Sequence, residues 1–524
     1  MADLPNFPEN AIPYWRDTVE LPSYPELNEN IETDVVIVGG GIAGITAADL
    51  LSKEQVKVTL LEGSELLNGT TGHTTAKVTA QHGVIYDELI RKHGIEPARK
   101  YYEANKNAIK HIEKNIQDYQ IDCDFEKQDA YIYAETGDYA QKLEKEFEAY
   151  DRLNIKGKLT DQLPFDVSFD VALIMKDQYQ FHPLKYLQAL VQKSEERGVQ
   201  FFEKTTAVDI EKENHQVIVK TRDGHDVKAN QVLICSHFPF YEGKALWSAR
   251  IYPERSYAIG VKSTKPYPGD MFLKPDQPNR SIRYQPTPDG DLYILGGDNH
   301  KTGQGGDMME HFKALRRFAE ELLGDDFEIL YRWSAQDLTT MDKIPYIGQM
   351  TNNEPNILVA TGFRKWGMTN GTVAGQLLSD LVLGEINPYE DLFKPARFQA
   401  NPSIQQFVKE NANVAKELVK GKLDRKDANP HELEKDEATT IRVDGQRKGA
   451  YRDAAGELHI VDTTCTHVGC EVNWNSSEKS WDCPCHGSRF SYTGEVIEGP
   501  AEEPLQKHDL TMLDSLIPDD NKNV

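Results

Sequence analysis

Two short loops near the C-terminus constrain this chain more than anything else in it. They are Cys465-Thr-His467-Val-Gly-Cys470 and Cys483-Pro-Cys485-His486-Gly-Ser488, and fifteen residues separate His467 from Cys483. Each loop offers thiols and one imidazole, the donor types that hold soft and borderline metals. Using them together requires a fold that sets the two loops side by side. Two thiolates and two imidazoles suit a structural zinc site. They equally suit a [2Fe–2S] cluster in which two cysteines hold one iron and two histidines the other. Cys-x-His with Cys-x-x-His is far more specific than a bare Cys-x-x-Cys. Two further cysteines at fixed offsets, and Cys-Pro-Cys-His-Gly-Ser intact, favour the cluster. Such a centre carries electrons.

The loops resemble those of the respiratory and photosynthetic Rieske proteins. By that likeness Cys465, His467, Cys483 and His486 are the cluster ligands. Neutral imidazoles leave such a cluster less negative and easier to reduce. Cys470 and Cys485 sit in the ligand loops without being needed as ligands. The resemblance implies that they form the disulfide those proteins carry under the cluster. A bridge closing so short a loop is worth about 3 kcal/mol in the chain-entropy model. Two free thiols are the alternative, since cytosolic disulfides are uncommon. In the respiratory proteins the serine after Cys-His-Gly, and a tyrosine two residues later, donate hydrogen bonds to cluster sulfurs. Ser488 keeps the first donor, and Phe490 replaces the second.

With 524 residues, 39% hydrophobic and 27% charged, the chain has room for two or three domains of ordinary globular composition. No apolar run approaches the ~18 residues of a membrane span. Met1-Ala-Asp-Leu-Pro5 lacks the basic and apolar regions of a secretory signal, so the expected location is the cytoplasm. A net charge of −25 argues against nucleic acid as a partner, because phosphate contacts need a basic surface. It is compatible with a cationic substrate such as a polyamine, or a basic redox partner; a solvating acidic surface explains it as well. Cys123 and Cys235 read as reduced core residues, the second closing the apolar run Gln231-Val-Leu-Ile-Cys235.

The N-terminal part carries a second pattern. Asp34-Val-Val-Ile-Val38 reads as a buried parallel strand and runs into Gly39-Gly-Gly41-Ile-Ala-Gly44. Ile45-Thr-Ala-Ala-Asp-Leu-Leu then has helical spacing, and Val56-Lys-Val-Thr-Leu-Leu61 is a second strand ending at Glu62. This is Gly-x-Gly-x-x-Gly in its strand-to-helix context, a dinucleotide-binding βαβ unit. Gly39 permits the turn, Gly41 lets a pyrophosphate approach the backbone, and Gly44 allows the helix to pack on the sheet. Phosphates are drawn to the unpaired N–H groups of the helix N-terminus. Glu62 accepts hydrogen bonds from ribose hydroxyls. A further buried strand, Asn356-Ile-Leu-Val-Ala-Thr361, leads into Gly362-Phe363-Arg-Lys-Trp366-Gly367-Met368 and a helix ended by Gly384. Such a helix start would favour negative charge on a reduced flavin.

Over roughly residues 30–390 these motifs resemble the D-amino-acid oxidase and glycine oxidase family of FAD proteins. The resemblance implies that Gly362, Phe363, Gly367 and Met368 close over the flavin. It also implies that the loop Gly69-Thr70-Thr71-Gly-His73-Thr74-Thr-Ala-Lys77 lines the isoalloxazine. His73 resembles the histidine that dimethylglycine and sarcosine dehydrogenases link covalently to flavin. Gly72 stands where their pattern has tryptophan, which favours a noncovalent contact.

The expected fold is α/β plus all-β, in four parts. Residues 1–30 form an N-terminal arm. Residues 31–395 form the FAD-dependent oxidoreductase, with a discontinuous Rossmann-like FAD-binding domain (31–84, 181–250, 336–395) and an antiparallel-sheet substrate domain (85–180, 251–335). Charged helices are expected around Tyr101–Gln117 and Gln141–Leu153, and another from Leu184. Strands are expected at Ser281–Tyr284 and Asp291–Leu295. Residues 396–440 supply an amphipathic helix (Ile404, Phe407, Val408, Val414, Ala415, Leu418) and a polar linker, Lys422–Thr440. Residues 441–524 form the small Rieske domain, ending near Leu516 before an acidic tail that starts at Pro518.

FAD accepts two electrons and a [2Fe–2S] cluster passes one. By family resemblance the substrate is an amine or amino acid, oxidised at its C–N bond, with electrons leaving through the cluster to an external acceptor. Arg283 with Tyr284, or Arg332, are candidates to clamp a substrate carboxylate, with surface or structural charge as the alternative for each arginine. Three other classes stay open: a flavin oxidase using O₂ with a structural Rieske domain, a reductase component running in reverse, and a redox sensor that controls assembly. No second Gly-x-Gly-x-x-Gly in a βαβ context exists for a nicotinamide donor, which disfavours the reductase. No two-histidine, one-carboxylate set marks a Rieske oxygenase.

Overall fold

The structure, a computed structural model, describes residues 7–243, 245–397, 402–423, 430–443 and 446–508. Met1–Pro5, the expected domain end near Leu516 and the acidic tail lie outside the described residues. The chain divides into two compact units. The first gathers Met1–Trp247, Arg255–Asn299 and His311–Ser403; the second gathers Ser248–Glu254, His300–Glu310 and Ile404–Val524.

The first unit is mixed α/β. In its nucleotide-binding sheet, Ile31–Val38 lies between Asp226–Ile234 and Val58–Leu61, parallel to both. Gln200–Phe202 extends one side, and Ile357–Thr361 with antiparallel Tyr346–Gln349 extends the other. Val35, Val36, Ile37 and Val38 are all buried, as a strand covered on both faces requires. Helices Ile42–Lys53 and Gly367–Leu383 each follow a strand of this sheet. They touch where a Cβ at Gly375 would lie 2.6 Å from Thr46 Cβ, so a glycine is needed for that approach.

The second, nine-stranded sheet runs Phe327–Thr340, Ile251–Ser263, Gly290–Lys301, Arg280–Thr287, Met271–Lys274, Glu126–Ala134, Val171–Gln180, Lys77–Val78, with Gly157–Thr160 on Val171–Gln180. Its pairing departs from the expected antiparallel pattern where Met271–Lys274 runs parallel to Glu126–Ala134. The long chain between those strands supplies the crossover a parallel pair needs. Helices Ile95–Tyr119 and Gly137–Leu153 end on Gln120 and Asn154, both in the left-handed conformation (φ 54° and 57°).

The second unit holds two antiparallel sheets. One is Glu437–Val443, Gln446–Arg452, Leu458–Asp462; the other is Asn473–Asn475, Ser480–Asp482, Arg489–Ser491, Val496–Glu498. Its core joins Val461, Cys465, Cys470, Val472, Trp481, Cys483, Cys485 and Phe490, with Val414 and Leu418 of helix Pro402–Leu423 packed on it. The amphipathic face expected from 404 onward is therefore partly core of this unit. The first strand begins at Glu437, inside the stretch read as linker, because every residue to Val443 pairs with Gln446–Arg452. No helix among the described residues is long and apolar enough to cross a membrane.

Candidate functional site

The N-terminal site is a backbone cradle. Gly39 has φ +112°, and a Cβ there would sit 2.4 Å from Cys235 O; one on Gly44 would sit 2.1 Å from Gly39 O. Only glycine lets strand, turn and helix approach so closely. Gly41 starts helix Ile42–Lys53 without a side-chain cap, and Thr71 Oγ1 accepts from the Ile42 N–H at 3.1 Å. Glu62 follows the strand Val58–Leu61, its carboxylate accepting from Gly40 N–H (2.8 Å) and Ser64 N–H (2.9 Å). Burial pushes its pKa up, and those two N–H groups oppose the shift. A side-chain-free turn at a helix N-terminus, with an acid at the next strand's end, fits a dinucleotide.

The loop from Gly69 is pinned from several sides. Thr70 Oγ1 donates to Gln336 O (3.1 Å), Trp333 Nε1 to His73 O (3.0 Å) and Trp15 Nε1 to Thr74 O (2.7 Å). His73 Nδ1 lies 3.0 Å from Gly69 O. Lys77 Nζ donates to Phe272 O at 2.7 Å; burial, aided by the Arg283 charge, brings its pKa down to about 7. On the far side of the chain, Gly362 (φ +78°) ends Ile357–Thr361, and Thr339 pairs with Phe363. Helix Gly367–Leu383 again begins without a side-chain cap, and Met368 is buried. Sequence reasoning missed His82, which stacks on Trp366 with ring centroids 4.9 Å apart and bonds Tyr101 Oη at 2.7 Å. Burial brings its pKa to about 3, so it stays neutral.

Both candidate arginines have structural partners, the alternative left open for each. Arg283 is fully buried, and its guanidinium serves the fold. Nε and Nη2 donate to Tyr284 O (2.9 and 2.7 Å), Nη1 to Ala76 O (2.8 Å) and Nη2 to Gln285 Oε1 (2.9 Å). Burial lowers its pKa to about 10. It ties Ala76, in the loop before Lys77, to the sheet. Tyr284 donates to Glu126 Oε2 at 2.6 Å and stacks on Tyr267 at 4.5 Å. Arg332 donates to Pro8 O and Glu9 O, both at 2.7 Å, and lies over the Phe312 ring. It fastens the N-terminal arm. A buried guanidinium must satisfy its donors locally, and backbone carbonyls were the partners at hand.

The second unit brings the two Cys–His loops together. Each loop closes on itself: Cys465 N donates to Cys470 O (2.7 Å), and Cys483 N donates to Ser488 O (2.8 Å). Cys470 and Cys485 form a disulfide. Cys465 and Cys483 remain free, buried thiols. A hydrogen bond from Cys483 draws the Cys465 pKa down against its burial, with the His467 N–H and Ser488 hydroxyl contributing. The His467 and His486 rings lie 5.0 Å apart at 86°. Nδ1 of His486 is buried with no hydrogen-bond partner, and burial lowers its pKa to about 4, leaving a neutral imidazole. A buried imidazole nitrogen without a hydrogen-bond partner, in a loop that also carries a free thiol, fits a metal ligand better than a polar core. Ser488 Oγ accepts from Ala501 N–H at 2.9 Å while its hydroxyl bonds Cys465. Phe490 is fully buried.

Comparison with known proteins agrees with both halves. The family described as FAD dependent oxidoreductase matches residues 34–381, and the Rieske [2Fe-2S] domain matches residues 425–509. The chain is 50% identical over 498 residues to the putative Rieske 2Fe-2S iron-sulfur protein YhfW of Bacillus subtilis, covering 95% of this chain and 97% of that one. It is 24% identical to the gamma-glutamylputrescine oxidoreductase of Escherichia coli over 392 residues, 70% of this chain and 87% of that one. Glycine oxidase from Geobacillus kaustophilus shares the fold, with TM-score 0.58 at 18% identity, covering 70% of this chain and all (100%) of that one.

Proposed function

Because the chain belongs to the FAD dependent oxidoreductase family and carries a Rieske [2Fe-2S] domain, we propose that it oxidises the C–N bond of an amine or amino acid and passes the electrons through its cluster to an external acceptor. The observation that carries this is the presence, in one chain, of a glycine cradle and a loop pair with two free thiols and an orphaned imidazole. Bound FAD supplies a two-electron acceptor and the cluster a one-electron carrier.

The chain's own residues have the following parts in this reading. Gly39, Gly41 and Gly44 hold the pyrophosphate, and Glu62 accepts from the ribose. Thr70, Thr71, His73, Thr74 and Lys77 would line the flavin, and Gly362, Phe363, Gly367 and Met368 would close over it. Loss of hydride from the carbon bonded to nitrogen, to the two-electron acceptor that bound FAD would supply, leaves an iminium ion, which water hydrolyses to a carbonyl and ammonium or a smaller protonated amine. A substrate amine deprotonated in solution needs no base from the protein. Cys465 and Cys483 hold one iron, His467 and His486 the other. The relatives' names support an amine or amino-acid substrate, and the net charge of −25 suits a cationic amine.

The test is a panel of amines and amino acids mixed anaerobically with the protein. At least one should bleach the flavin absorbance and release a carbonyl product. Bleaching by none of the panel, with full bleaching by dithionite, would overturn the substrate class.

A further inference from the structure

The second unit contains more than the C-terminal residues. The segment His300–Glu310 belongs to it and reaches the back of the cluster loop. Gly303 has φ +70°, and a Cβ there would lie 2.7 Å from Pro484 N and 2.9 Å from the Cys483 carbonyl carbon. Backbone therefore rests directly on backbone. Gly303 O accepts from Asn473 Nδ2 at 2.9 Å, and Asp307 Oδ1 from Ser476 Oγ at 2.8 Å.

Gln304 makes the central contact. Its Nε2 donates to Pro484 O at 2.9 Å and to Asn413 Oδ1 at 2.9 Å, so both amide hydrogens are used. Pro484 has no N–H, so its carbonyl is the one polar group it offers between Cys483 and Cys485. Asn413 stands on helix Pro402–Leu423, and it also accepts from Lys301 Nζ at 3.1 Å. Lys301 is ion-paired with Glu410 of that helix. Val414 and Leu418 of the same helix pack on the core that includes Cys465 and Cys483. One side chain thus joins the ligand loop to a helix braced against the ligand core.

We propose that Gln304 is a positioning residue for the cluster: its amide fixes the loop carrying Cys483 and His486 by giving one N–H to that loop's Pro484 carbonyl and the other to Asn413, raising the cluster's reduction potential. This rests on the reading that Cys483 and His486 are cluster ligands. Donors near a cluster stabilise its more negative reduced state, and partners of ligand residues tune it.

The experiment uses the full-length holoprotein with Gln304→Met, which keeps length but removes both donors, and Gln304→Lys, which keeps donors. Two readouts are taken: the midpoint potential by EPR-monitored titration, and hydrogen exchange at Cys483 and Gly487. Gln304→Met should weaken reduction three- to tenfold, about 30–60 mV at 59 mV per decade, and speed exchange in the loop while strand Gln446–Arg452 keeps its protection. Gln304→Lys should keep the loop's protection and show no fall in potential. An unchanged potential and exchange in Gln304→Met, or a Gln304→Lys variant that matches it, would overturn the proposal. A wild-type protein without acid-labile sulfide would instead remove the cluster reading beneath it, so the two failures are distinguishable.

Discussion

The two sites of this chain are built at different ranges. The cluster's four expected ligands fall between Cys465 and His486, and two self-closing turns place them. The residues expected at the flavin run from Gly39 to Met368, and they come together through parallel strands from distant segments that lie beside one another. A short-range site declares its chemistry through spacing. A long-range site declares only the parts that a backbone turn demands, and leaves the substrate-facing side chains to tertiary packing.

If the two sites are independently built, each should be removable without the other. Cys483→Ser should abolish iron and acid-labile sulfide while FAD stays bound at one per chain, measured by metal analysis and flavin absorbance. Gly44→Val should do the reverse, since its Cβ meets the Gly39 carbonyl at 2.1 Å: FAD is lost and the cluster's EPR signal remains. Loss of both cofactors in either variant would break the comparison. The next effect is on stability. Replacing Cys470 and Cys485 by alanine opens a loop of sequence separation 15 and should cost about 3 kcal/mol, read from the denaturant midpoint at which the cluster bleaches.

Smaller effects sharpen the contrast within each site. Ser488→Ala should lower the cluster potential by tens of millivolts, since about 1.4 kcal/mol corresponds to roughly 60 mV for one electron. Phe490→Tyr should raise it by a similar amount if the hydroxyl reaches a sulfur; voltammetry checks both. On the flavin side, Lys77 gives up its proton near pH 7 when folded and near 10.5 when unfolded. Between those values the unfolded chain holds more protons, so this group makes stability rise with pH. Below pH 7 both states are protonated and the slope ends. Lys77→Met should flatten that part of the stability profile, as followed by denaturant titration at several pH values.

The sequence was most legible where the backbone itself needs a particular residue. Gly39, Gly41 and Gly44 could be placed because a strand-turn-helix passing a phosphate tolerates nothing larger, and Gly384 because the helix before it ends in the left-handed conformation (φ 71°). Arg283 and Arg332 stayed open between a substrate and a structural role, because a strand pattern gives an arginine's position and not its partners. Both bond to main-chain carbonyls from segments far away in sequence, Ala76 and Pro8 among them. Nothing in the sequence of Thr302-Gly-Gln304-Gly-Gly306 points to a partner. Its landing place beside Pro484 is a long-range contact that no local period encodes. Helix Pro402–Leu423 was visible by its apolar spacing, whereas the core that receives Val414 and Leu418 was not.

In the proposed reaction one chain turns two-electron oxidation of an amine into one-electron output. Anaerobic rapid mixing with a substrate that bleaches the flavin, followed by optical and EPR detection of the cluster, tests it most directly. The flavin should be reduced first and the cluster should follow in a one-electron step within turnover time, and Cys483→Ser should keep the first phase and lose the second. A cluster that stays oxidised through many turnovers while oxygen, once admitted, is consumed at the full rate would contradict the proposed reaction.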